Sequence, residues 1–183
     1  IKEIEVKMPK ELIAKELHVL SGKLSIAVPQ TSIFSLKKHN NYWSIDKATL
    51  FSLLLKKNGH NMITAENIVL KNLVFGGDEK PYIGFVEAQK PVFTFNEKHK
   101  SETPKPKMNL DVLDMVGDFV LYPGSLVLPN QKIAFGKISG NARNKTVAIR
   151  DLKTELEKMH IAVKHVSLDK YQLDADSLTL TPN

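Results

Sequence analysis

The chain has 183 residues, 42% apolar and 25% charged, which is long enough to bury a proper core in one domain or two small ones. No apolar run approaches the ~18 residues of a membrane-crossing helix. The absence of cysteine excludes disulfides, thiolate metal sites and cysteine nucleophiles. A net charge of +6 and a pI near 9.3 suggest anionic partners, although the lysines are spread along the chain.

The first residue is Ile1, so sequence upstream is expected, with a signal peptide or membrane anchor among the candidates. "MPKELIAKELHVLSG" follows and reads as a helix candidate, with Pro9 near its start and Gly22 as its stop. "KLSIAVPQTSIFSL" alternates as a strand and breaks at Pro29. "SIDKATLFSLLLKKNG" is a second helix candidate, capped by Ser44 or Asp46 and stopped by Gly59. "NMITAENIVLKNLVF" is long and β-branched, and "GGDE" at 76–79 signals a turn. "KPYIGFVEA" and "KPVFTFNE" open with Lys-Pro and then alternate, placing Pro81 and Pro91 at strand starts.

"NEKHKSETPKPK" at 96–107 is a polar, proline-interrupted stretch with the composition of a solvated linker. It divides the chain into a β-rich half, 1–97, a Lys/Pro linker, 98–107, and a second β-rich half, 108–183; the two halves could still form one continuous domain. After it, "LDVLDMVGDF" and "AIRDLKTELEKM" are the third and fourth helix candidates. Two of the four are expected to be helices. Strands are expected over 23–36, 62–75, 81–96, 125–139 and 164–181. The fold class is mainly β, with α+β as the alternative: long, twisted, bulged antiparallel sheet with about two short helices.

One spacing recurs. "LIAKELHV" (12–19), "ITAENIVL" (63–70), "IAVKHVSL" (161–168) and "LDADSLTL" (173–180) are apolar or small at i, i+2, i+5 and i+7. A flat strand keeps one face at even spacing, so the extra residue between i+2 and i+5 predicts a bulge that returns the chain to the same face. At the C-terminus this predicts Leu173, Leu178 and Leu180 in the interior, Asp174 and Thr179 in solvent, and the slip near Asp176 and Ser177.

Site chemistry is sparse. The six histidines show no HxxxH or HExxH spacing, so no metal site is expected. No phosphate-cradling glycine loop or nucleophile elbow occurs. "LDMVGD" and "SGNARN" are similar to stretches of the zinc deacetylase of lipid A synthesis, but Leu110 and Asn141 stand where its metal-binding and catalytic histidines belong. "KKHNNYW" at 37–43 is the only place where aromatics interleave with basic residues, so nucleic acid is not expected as a partner.

Read end to end, "AENIVLKNLVFGGDEKPYIGFVEAQKPVFTF" resembles AsmA-like envelope proteins built from long curved β-sheets. "GSLVLPNQKIAFGKISGNARNKTVAIRDL" resembles them in the same way. The resemblance implies a periplasmic, membrane-anchored sheet whose apolar face handles lipid, with no cofactor and no catalytic residue. Ile63, Ile68, Leu70, Ile83, Phe85, Phe93 and Phe95 are the candidate lining of that face. A packed internal core is the plainer reading of the same residues. The expected partners are lipid or a membrane surface and other envelope proteins. A structural or adaptor subunit of an envelope or secretion assembly is the alternative to lipid handling; an enzyme is the least favoured reading.

Overall fold

The computed structural model describes residues 10–77, 80–95, 114–156, 159–169 and 172–182. Its strands are β1 (Glu11–Ser21), β2 (Leu24–Lys38), β3 (Trp43–Lys57), β4 (His60–Phe75), β5 (Tyr82–Gln89), β6 (Val92–Thr94) and β7 (Val116–Leu121). They continue as β8 (Gly124–Leu128), β9 (Gln131–Phe135), β10 (Lys137–Asn141), β11 (Thr146–Leu156), β12 (Met159–Asp169) and β13 (Gln172–Pro182). All thirteen belong to one sheet.

The register reduces thirteen segments to ten lines. β5 and β6 keep one register against β4, so they are a single strand interrupted at Lys90–Pro91. β7 and β8 keep one register against β5 and β6, and β9 and β10 keep one against β11. The architecture is therefore two five-strand meanders laid side by side. Each is antiparallel throughout, and they meet at a parallel seam where β5 pairs β7 and β6 pairs β8. That seam makes the sheet mixed, where antiparallel pairing alone was expected. It also joins the two halves; residues 98–107 lie outside the described residues.

The same spacing governs every line. On β4 the residues Ile63, Ala65, Ile68, Leu70 and Leu73 follow steps of two, three, two and three; on β2, Ile26, Val28, Thr31, Ile33 and Leu36 do likewise. The three-residue steps fall at one transverse row. Glu16, Ser52, Lys90, Asp151 and Ser177 have φ between 48° and 58°, one on alternate lines of the first meander and on two lines of the second. Each is skipped in its strand's pairing register. A second, shorter row runs through Ser35 and Asn72, at φ 56° and 54°.

A left-handed non-glycine residue costs about 1–2 kcal/mol. Without it, however, every apolar position beyond the row would turn to the other face, at ~1.5–3 kcal/mol for each large side chain. Burial outweighs strain. Because all ten lines carry the extra residue at the same height, no line slips against its neighbour at this row; β3 and β4 shift register only beside their turn, between Leu55 and Lys56.

No α-helix occurs among the described residues, so the expected pair of helices is a correction. Three of the four candidates are β1, β3 and β11; of the remaining one, "LDVLDMVGDF", 110–113 lie outside the described residues, 114–115 are a 3₁₀ turn and the rest opens β7. The cause is the three-residue step. Ile149 to Leu152 and Leu50 to Leu53 cross the kink row at a helix-like separation while staying on one sheet face. Gly22 and Gly59, read as helix stops, sit in two-residue hairpin turns. At Asn58–Gly59 both residues have positive φ (53° and 79°), the primed turn that matches strand twist.

Candidate ligand face

Cross-strand partners share a face, so the face can be traced row by row. From Ile63 the partners run through Leu55, Ile26 and Val19 on one side. On the other they run through Phe93, Leu126, Ile133, Thr154, Ile161 and Leu180. Nine of these ten residues are apolar. Ile68 lies in a second row that links Ala14, Thr31, Leu50, Ala88, Leu121, Ile138, Ile149, Val166 and Ala175. Leu70 lies in a third, from Leu12 to Leu173. Each row crosses ten lines, roughly 43 Å at ~4.8 Å per strand.

Six of the seven candidate residues lie on this face: Ile63, Ile68, Leu70, Ile83, Phe93 and, two residues beyond Phe93, Phe95. Phe85 does not. The short kink row passes through the pair Asn72 and Gly84, so Gly84 and Phe85 both face the other way. There the Lys71 ammonium stands 5.0 Å from the Phe85 ring. The correct frame on this line is Ile83, Val86, Ala88, Pro91 and Phe93, the same steps of three and two. That spacing could have excluded Phe85, and it would also have added Leu126, Phe135, Ile138 and Ile149 from the second meander.

Burial on the face is graded. Val28, Ala65, Ala88, Ala48, Ile45 and Phe135 are buried, all on lines flanked on both sides and all on this face. Toward the two edges it opens. Leu173, Leu178 and Leu180 share the face as expected, with the slip at Ser177 (φ 58°), but they are 68%, 64% and 54% exposed. The expectation that they sit in the interior is corrected: among the described residues β13 has a neighbour on one side only. Within the second row the Thr31 hydroxyl is buried without a hydrogen-bond partner among the described residues.

The opposite face is polar. Lys90 Nζ donates to Glu66 Oε1 at 2.8 Å across the kink row. Lys47 and Lys71 are direct partners that lean apart, one toward the Phe34 ring at 5.7 Å and one toward Phe85. Lys37 donates to the Asp46 carboxylate at 3.1 Å, and this bond holds Asp46 below the usual carboxylate range. In the 37–43 stretch His39 stacks on Tyr42 at 4.2 Å and Lys38 lies over Trp43 at 5.6 Å, so its rings and cations pair with one another. No group of three or more metal-ligating side chains gathers among the described residues, and no helix there is long and apolar enough to cross a membrane.

Compared with known proteins, the chain matches no family model, no curated protein and no solved structure.

Proposed function

We propose that this chain is a non-enzymatic protein of the cell envelope that binds or guides lipid along its apolar sheet face. One observation carries the reading. The rows are apolar on nearly all of their ten lines and remain largely half-exposed, with the buried residues on lines flanked on both sides. Contiguous apolar surface of that extent on a soluble sheet marks a binding face. Acyl chains fit it because they need area and shape but no polar partner. The polar face, with its lysines and paired ions, would stay toward water or anionic headgroups. The periplasmic setting and the upstream membrane anchor follow from the resemblance to AsmA-like sheets and belong to this proposal.

The experiment is organic extraction and native mass spectrometry of protein purified without detergent, alongside binding of a hydrophobic dye. Co-purifying phospholipid or fatty acid is the expected result, reduced by Ile68→Ser with Leu70→Ser. A ligand-free protein that also fails to bind the dye would sink the reading.

A second reading, a structural or adaptor subunit of an envelope or secretion assembly, is favoured by the two edges. β1 and β13 each leave one long side without a strand neighbour among the described residues. Such edges accept strands from other chains. Co-purification of a stoichiometric partner, with no lipid, would favour it over the first.

A further inference from the structure

The two edges differ in how they are guarded. On β13 the polar face carries Asp174, Asp176, Ser177 and Thr179, and such charges blunt an edge against pairing. On β1 the same face carries Glu11, Ile13, Lys15, Glu16, His18 and Leu20, with Ile13 and Leu20 55% and 79% exposed. Lys15 and Glu16 form no ion pair among the described residues. Among the described residues, the β1 edge therefore combines open backbone, apolar side chains on both faces and two unmatched opposite charges.

Its pattern is also a palindrome. The apolar positions Leu12, Ala14, Leu17 and Val19 read the same in both directions about a centre between residues 15 and 16. An antiparallel copy of β1 can therefore lie beside it with Leu12 opposite Val19 and Ala14 opposite Leu17. This is the matching β1 already makes on its other side, where Leu12, Ala14, Leu17 and Val19 oppose Ile33, Thr31, Val28 and Ile26. In that register Lys15 of each copy stands directly opposite Glu16 of the other. Ile13 of each copy gains the second copy's Leu20 as a diagonal neighbour.

We propose that β1 pairs antiparallel with β1 of a second copy, forming a two-fold dimer whose apolar faces run on from one copy into the other. A two-fold axis closes the assembly at two copies. The same operation at β13 would set Asp176 opposite Ser177 and Asp174 opposite Thr179, leaving four carboxylates at the seam with no cation to pair, so β1 is the edge selected. The proposal stands on the edge residues and does not require the face to hold lipid.

The test is analytical ultracentrifugation of the chain, Lys15→Glu, and Lys15→Glu combined with Glu16→Lys, over a concentration series. Wild type is expected at twice the 20.6 kDa chain mass. Lys15→Glu turns both attractive pairs repulsive and should weaken dimerisation by at least about tenfold. The double exchange restores opposite charges in this register and should recover the dimer. A wild type that stays monomeric or grows beyond a dimer would overturn the proposal, as would a single variant that dimerises like wild type. So would a double variant no better than the single, the result expected if β1 instead pairs in parallel with β13, where residue 15 faces Asp176. Circular dichroism and urea melting of each variant establish that it is folded.

Discussion

Residues 63–70 and 173–180 obey one rule and live in different surroundings. Both are apolar at the first, third, sixth and eighth positions, and both turn two consecutive residues outward at the same transverse row. Yet Ala65 is buried at 5% exposure, whereas its counterpart Ala175 is exposed. Among the described residues β4 has neighbours on both sides and β13 on one. Pattern decides which face a side chain joins; the number of flanking strands decides whether that face is covered.

That separation can be broken most forcefully at the paired alanines. Ala65→Asp buries a carboxylate with no partner and should cost roughly 3 kcal/mol or more. Ala175→Asp should stay within about 0.5 kcal/mol. Urea denaturation of both checks this, and equal losses would mean the edge is covered in solution, by a partner or a ligand. The kink row gives the next largest effect. A β-branched side chain is poorly tolerated at positive φ, so Ser52→Val on β3 should lose about 1–2 kcal/mol and Ser177→Val on β13 less, because a one-sided strand can relax. Ser52→Gly should be neutral or slightly stabilising, with thermal melting as the readout.

Leu178→Asp sharpens the comparison at the edge itself. With the side chain 64% exposed, its loss should be no more than about 1 kcal/mol, against almost none for Thr179→Asp on the polar face. A loss several times larger would show that the β13 leucines are covered in solution. The smallest effect concerns pH. The Asp46 pKa is lowered chiefly by the Lys37 hydrogen bond, so its contribution is present above the ordinary carboxylate value of 3.8 and is lost as pH falls through its folded value. Both partners are more than half exposed, so the contribution is small. Asp46→Asn should lower the melting temperature slightly at pH 7, and the gap should close under strong acid.

The sequence carried the fold class and, at four segments, the step of two and three that organises the whole sheet. It placed the C-terminal slip near Asp176 and Ser177, and the left-handed residue is Ser177. The missed features share a cause. A three-residue step inside a strand is locally the same signal as a helix turn, so β1, β3 and β11 resembled helices until their neighbours supplied the register. Phe85 was misplaced because simple alternation from Ile83 ignores the second kink at Gly84. Exposure at the edges was not legible at all, since no local pattern states how many strands will lie beside a given one.

The parallel seam has a consequence for how the chain folds. Every other junction in the sheet joins strands adjacent in sequence and needs only a short turn to close, but the seam pairs residues 33 positions apart, as in Ile83 with Val116. It also needs unusually close backbones: a Cβ on Gly117 would lie 2.6 Å from the Gly84 carbonyl oxygen and 2.7 Å from Tyr82 Oη. Loop closure makes this the entropically dearest contact to form, so the two meanders should assemble first, as separate cooperative units, and dock last. In native-state hydrogen exchange the amides pairing β5 with β7 should then open before those within either meander, and Gly117→Ala should slow the docking phase of refolding while leaving the earlier phase unchanged.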